Sequence, residues 1–270
     1  MTRTRIVLVA ALIVLCVAVV AVVTGRDGVA HEASSELSAS QRPLPTVPDS
    51  VDGFDDPTTD RVGRKVIIPR NPAGQPQPQH DPGQRMECDG EAVDSPQGMQ
   101  IQRSFEMPIL TSTTDGPSRV DGTNLLGYRR SPQGAAIAGW NFVARLYAGG
   151  EASRQAIAAL TILTDDERRG LSRAPSPSPP DPAGDRFRHL FLAPEAFRIL
   201  TCDADLVAVE WALHTEQNSA TTATAGRWVG LRLNLLWREG DWRVQLAREY
   251  ANTGSGQRYS SLEGWTKWSW

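Results

Sequence analysis

From Ile6 to Val23 every side chain is Ile, Val, Leu, Ala or Cys. At 1.5 Å per residue those positions make a helix of roughly 27 Å, enough to cross a hydrocarbon core. A cleavable signal peptide has an apolar stretch of about 7–15 residues followed by an A-x-A-like site. Here the run is longer and Gly28-Val29-Ala30 fits poorly, so an uncleaved signal-anchor is expected, with cleavage as the alternative. Leu15 before Cys16, inside a continuing apolar run, argues against lipidation. Arg3 and Arg5 precede the run, and only Arg26 follows closely, among Asp27 and Glu32. The positive-inside bias therefore makes residues 1–5 a cytoplasmic tail and residues 6–23 a transmembrane helix in contact with the lipid bilayer. The expected location is the cell membrane, single-pass, with the C-terminal domain extracellular.

That placement changes how the cysteines read. Cys16 falls in the bilayer, and the exported part holds Cys88 and Cys202. Oxidising surroundings permit a disulfide between them, worth roughly 3–5 kcal/mol in denatured-state entropy for so long a loop. Two unrelated buried thiols are the alternative.

Residues 24–85 are rich in Pro, Gly, Ser, Asp and Gln, with Asp49, Asp52, Asp55, Asp56 and Asp60 in one stretch and Gln75-Pro-Gln-Pro-Gln79 in another. Such a composition predicts a disordered tether. Val66-Ile67-Ile68 is the apolar cluster inside it. The whole chain carries 28 Lys+Arg against 31 Asp+Glu, a net charge of −3, which leaves no basic excess for a nucleic-acid backbone.

All 8 Trp lie between Trp140 and Trp270, so the core belongs to the C-terminal part, an exported domain expected over residues 86–250. Gly98 to Met107 alternates weakly between Pro96 and Pro108 and predicts an edge strand. Thr111-Ser-Thr-Thr-Asp-Gly-Pro117 is turn chemistry. Ser131-Pro132 reads as N-cap and first position of a helix stopping at Gly149-Gly150. A second helix runs from Glu151 through Leu163, and Thr164-Asp-Asp-Glu167 is a capping box for a third ending near Gly170. Residues 172–182 hold five prolines and predict a loop.

After Phe187–Phe191 the rhythm becomes alternating, predicting strands at Glu195–Cys202, Leu206–Thr215, Arg227–Arg238 and Asp241–Arg248. With Glu239-Gly240 as a two-residue turn, Trp237 opposes Trp242, Leu235 opposes Val244 and Leu233 opposes Leu246, all on one face. The same parity brings Val207, Val209, Trp211 and Leu213 to that face and sets Glu210 across from Arg232.

The expected fold class is α+β: an N-terminal transmembrane helix, a disordered linker, then a roll of two to three helices packed on a curved antiparallel sheet of four or more strands. Such a roll resembles the nuclear-transport-factor-two-like, or cystatin-like, fold. More narrowly, Pro108-x-x-Thr-Ser-Thr-Thr-Asp-Gly-Pro117, Gly127-Tyr-Arg-Arg-Ser-Pro-Gln-Gly-Ala-Ala136 and Leu262-Glu-Gly-Trp-Thr-Lys-Trp268 look like an actinobacterial family of single-pass exported proteins of uncharacterised function, often found in integrative and conjugative element loci. The resemblance covers about Met99 to Trp268. It also extends to the extracytoplasmic domains of type IV secretion and conjugation scaffolds, and implies a location and a binding role but no reaction.

His31, His80, His189 and His214 are scattered and no C-x-x-C occurs, so no metal is expected; nucleotide and nucleophile signatures are absent too, and no cofactor is expected. Glu210, His214, Arg232 and Asn234 are the polar set that alternation gathers on one sheet side. They line a cone cavity as an acid/base constellation, or form an ordinary cross-strand pair on a polar face. Tyr259, Trp265, Trp268 and Trp270 occupy a Trp-rich tail at residues 251–270, serving either as an interface, self-association included, or as a cover over the domain. The reading is a non-enzymatic, membrane-anchored scaffold with protein partners in the cell envelope. A small-ligand-binding or enzymatic roll and an accessory subunit of an envelope lipid transporter are the alternatives. Alkylation without reductant, read by mass, is expected to leave Cys88 and Cys202 unmodified; two added adducts there would remove the disulfide.

Overall fold

The structure, a computed structural model, describes residues 52–81, 93–173, 191–214, 227–245 and 256–270. Residues 6–23 and Cys88 lie outside them. Among the described residues no helix is long and apolar enough to cross a membrane.

The described elements are mostly strands, with three helices, which corrects the expectation of helices on a single curved sheet. One sheet has four strands in the order β1 (Phe54–Thr59), β2 (Lys65–Pro69), β3 (Gln100–Ser104) and β4 (Met107–Thr111), with β2 and β3 parallel. β5 (Arg119–Asp121) and β6 (Asn124–Leu126) form a separate hairpin. Then come α1 (Pro132–Ala148), α2 (Gly150–Leu160) and α3 (Asp165–Ser172). The six-stranded sheet follows: β7 (Ala196–Asp203), β8 (Leu206–His214), β9 (Trp228–Arg238), β10 (Asp241–Gln245), β11 (Arg258–Tyr259) and β12 (Thr266–Lys267).

Two expectations for the N-terminal half fail, each for a physical reason. First, the segment expected to be disordered supplies β1 and β2, with Val66 buried against the core. Gln75-Pro-Gln-Pro-Gln79 is also ordered, because an extended chain sends alternate side chains one way and here all three glutamines find backbone partners. Gln75 Oε1 accepts from Gly53 N–H at 2.8 Å, Gln77 Nε2 donates to the Gly98 carbonyl at 2.9 Å, and Gln79 Nε2 donates to the Ser112 carbonyl at 2.7 Å. Composition registers polarity but not pairing, and these amides replace the ladder bonds that proline cannot donate. Second, the expected edge strand at 98–107 is most of a hairpin. Phe105 and Glu106 turn it with φ of 47° and 65°, a left-handed pair without glycine, and β3 lies inside its sheet.

The C-terminal half follows its pattern. Ser131 caps α1, its hydroxyl accepting from Gly134 N–H at 3.0 Å, and Gly149 ends it. The Thr164 capping box opens α3. Trp237 pairs with Trp242, Leu235 with Val244, and Glu210 with Arg232, as parity requires; Leu246 lies outside the described residues. β10 and β11 lie along the same edge of β9, at its residues 234–238 and 228–229 respectively.

Helix α1 is buried along nearly its whole length because the two large sheets share it. Towards the six-stranded sheet it offers Ala136 and Gly139. A Cβ on Gly139 would stand 2.6 Å from the Trp211 ring, and Trp211 Nε1 donates to the Ala136 carbonyl at 3.2 Å. Towards the four-stranded sheet, Asn141 acts as a strand would: its Oδ1 accepts from Leu110 N–H at 2.7 Å and its Nδ2 donates to the Leu110 carbonyl at 2.8 Å. The outer edge of β4 is thereby closed by a side chain.

One turn further along α1, Arg145 is 1% exposed. Its Nε donates to the Thr123 carbonyl at 2.7 Å, Nη1 to the Ser104 hydroxyl at 2.8 Å and Nη2 to the Ala73 carbonyl at 2.6 Å, while the guanidinium sits 5.1 Å over the Phe105 ring. Burial lowers its pKa to about 10. Arg145→Met is expected to destabilise by about 3 kcal/mol or more in urea titration, since it leaves buried acceptors without donors. A loss under about 1 kcal/mol would show that these bonds carry little.

Candidate functional site

The side of the six-stranded sheet away from α1 carries the polar set. Position by position it is a grid. Ala196, Ala212 and Gly230 are cross-strand neighbours on β7, β8 and β9, and two residues along the strands Arg198, Glu210 and Arg232 form the adjoining row. Glu210 has no exposed surface, which an isolated carboxylate would not tolerate. It is satisfied from three sides. Arg198 Nε donates to Oε2 at 2.8 Å, Arg232 Nε stands 2.9 Å from Oε1, and the Tyr259 hydroxyl donates to Oε1 at 2.9 Å. Arg198 lies 4.5 Å from the Trp265 ring and 5.1 Å from that of Tyr259. Burial, with the Glu210 charge beside it, holds the Tyr259 phenol above its usual range, and the hydrogen bond to Glu210 raises Arg232.

Of the expected set, then, Glu210 and Arg232 come together; His214 and Asn234 do not join them. His214 sits four residues along β8, roughly 13 Å away by strand rise, with Nε2 3.2 Å from Glu195 Oε2 and its ring 6.1 Å from that of Trp228. Asn234 is half-buried opposite Ala208. Arg198 is the partner that sequence parity missed. With Ala204-Asp205 as the turn, an unbroken register would put Arg198 opposite Trp211, on the other face. A bulge at Leu200 shifts the pairing by one residue and delivers Arg198 to Glu210.

The tail covers this face. Trp265 and Trp268 are buried, Tyr259 is half-buried and Trp270 is 47% exposed. Trp265 meets the Tyr259 ring edge-on at 5.1 Å, Trp268 stacks on Phe197 at 4.3 Å, and the Thr266 hydroxyl donates to the Val93 carbonyl. Cys202 is half-buried against the main core, and its expected partner Cys88 lies outside the described residues.

At the edge of this face a second polar group joins the β1–β2 turn to β7. Arg64 binds Asp60 at 2.7 Å, approaches Glu195 at 3.7 Å, donates to the Ala193 carbonyl at 2.9 Å and lies 5.5 Å from the Trp270 ring. Next to it Thr59, Arg103, Phe191 and Ala193 help line a cleft of about 90 Å³, room for a few waters rather than a substrate. Among the described residues no group of three or more His, Cys, Asp or Glu is placed to hold a metal ion.

Fold and site together define a two-sheet, β-rich domain around a shared helix, with Arg145 and Glu210 each held in an internal network. Residues 68–267 match a family described as a domain of unknown function, DUF8175, and the chain belongs to that family. No curated protein and no solved structure matches it. β1 and most of β2 precede the matched region.

The His214 hydrogen bond, then the Arg64 and Lys267 charges, hold the Glu195 carboxyl below its usual range. A carboxylate with a lowered folded-state pKa contributes stability above its unfolded value, and that contribution is lost as pH falls through the folded one. Glu195→Gln is therefore expected to lower Tm by more at pH 7 than at pH 3, in paired thermal melts. An equal loss at both pH values would mean that its packing matters and its charge does not.

Proposed function

We propose that the protein is a membrane-anchored extracytoplasmic scaffold or interaction module, tethered through residues 6–23, with no catalytic role. The reading rests on the apolar N-terminal run and its flanking arginines. The observation that carries the non-catalytic part is Glu210, the carboxylate best placed for acid/base work, which is sealed under the tail by two guanidiniums and a phenol. A general base needs to reach a substrate proton, and this one faces only its own partners. Residue-level resemblance to exported proteins of conjugative loci suggests a cell-envelope or transfer assembly as the setting. Pairing of Cys202 with Cys88 belongs to the same reading, since an extracytoplasmic location permits a disulfide.

Fractionation of cells producing the full chain tests the reading. The protein is expected in the membrane pellet, resistant to alkaline carbonate, released by detergent and cut by protease added outside intact cells. Recovery in the soluble cytosolic fraction would overturn it.

A further inference from the structure

The tail's two halves are held very differently. At its end, Trp268 belongs to the main core through Phe197, and Ser269 N–H donates to the Ser95 hydroxyl at 2.9 Å. Before that, residues 256–265 rest on the trough that Ala196, Ala212 and Gly230 form across three strands. Leu262 and Trp265, with Trp228 and Tyr259, make a small apolar cluster separate from the main core. Backbone pairing with the sheet there is limited to Arg258 and Tyr259 on β9, continued at one end by Gly230 N–H to the Gln257 carbonyl and Gly256 N–H to the Gly230 carbonyl, each 2.8 Å. The seat is tightly fitted. A Cβ on Gly230 would stand 2.1 Å from Glu210 Oε1 and 3.1 Å from the Tyr259 ring.

We propose that residues 256–265 are a releasable latch, which lifts from the sheet as one unit, pivoting on the Trp268 anchor, while both sheets and α1 stay folded. Units with a few backbone bonds and their own small apolar cluster open at lower cost than the core to which they are attached. Opening uncovers the trough and replaces the Tyr259 hydroxyl on Glu210 with water. The two guanidiniums remain on Glu210, so the carboxylate is not left unpaired and the sheet face tolerates the exposed state.

Hydrogen exchange of the full chain under native conditions tests this. Amides of residues 256–265 are expected to be protected at least 100-fold less than those of α1 and β8. Gly230→Ala, which crowds the seat from the sheet side and changes no residue of the latch itself, is expected to lower latch protection at least tenfold further and to leave α1 unchanged. Should Gly230→Ala fail to fold, Tyr259→Phe serves the same comparison, since it keeps the ring and removes only the hydroxyl that donates to Glu210 and accepts from Arg198 and Arg232. Latch and α1 exchanging at one common rate in the native chain, or a variant lowering both together, would overturn the proposal.

Discussion

A guanidinium in the interior, served by oxygen atoms from three separate parts of the chain, ties the N-terminal half of this domain together. Among the described residues no carboxylate pairs with Arg145; its partners are the Ala73 and Thr123 carbonyls and the Ser104 hydroxyl. Each comes from a different segment: the run leading into the glutamine-proline stretch, the β5–β6 turn and the end of β3. The planar fork of arginine reaches acceptors spread around its plane, whereas a lysine would offer all its donors from a single nitrogen. The same group lies over Phe105, one of two non-glycine residues held in the left-handed region at the β3–β4 turn. A turn of that type costs on the order of 1–3 kcal/mol per residue and persists when its surroundings over-determine it. Burial of Phe105 beneath a charged plane supplies that determination.

Helix α1 therefore does two jobs with opposite chemistry. Its small residues let the six-stranded sheet come close, with Trp211 lying in the notch at Gly139. Its polar residues Asn141 and Arg145 reach the other way, to an edge and a turn that would otherwise leave buried backbone groups unpaired. One helix serves as apolar filler for one sheet and as hydrogen-bonding partner for the other. This is why nearly every side of it is buried although it is not uniformly apolar.

Legibility in the sequence divides along the same line. The hairpin strands β8, β9 and β10 were readable because alternation and the Glu239-Gly240 turn determine register together, and one residue of slip would have exposed the whole apolar face. The caps of α1 and α3 were readable because hydroxyl and glycine chemistry at helix ends is local. β2 and the glutamine-proline stretch were not, because their order draws on distant partners, as with Val66 and Ile101, Gln75 and Gln102 or Gln79 and Ser112, and β1 is ordered by pairing with β2. A composition rich in Pro, Gln and Asp reads as a tether unless those partners are known. In the candidate site, the Glu210–Arg232 pair followed from parity, whereas Arg198 depended on a bulge that no residue type around Leu200 announces.

The arrangement of β10 and β11 along a single edge of β9 bears on how such a chain can diverge. Along that edge β10 is paired with β9 from Arg238 to Asn234, and β11 is paired with it at Val229 and Trp228. Because each stretch is aligned by its own pairing, the register of one does not set that of the other. Evolution, or an experimenter, can therefore alter either strand without resetting its neighbour on the same edge.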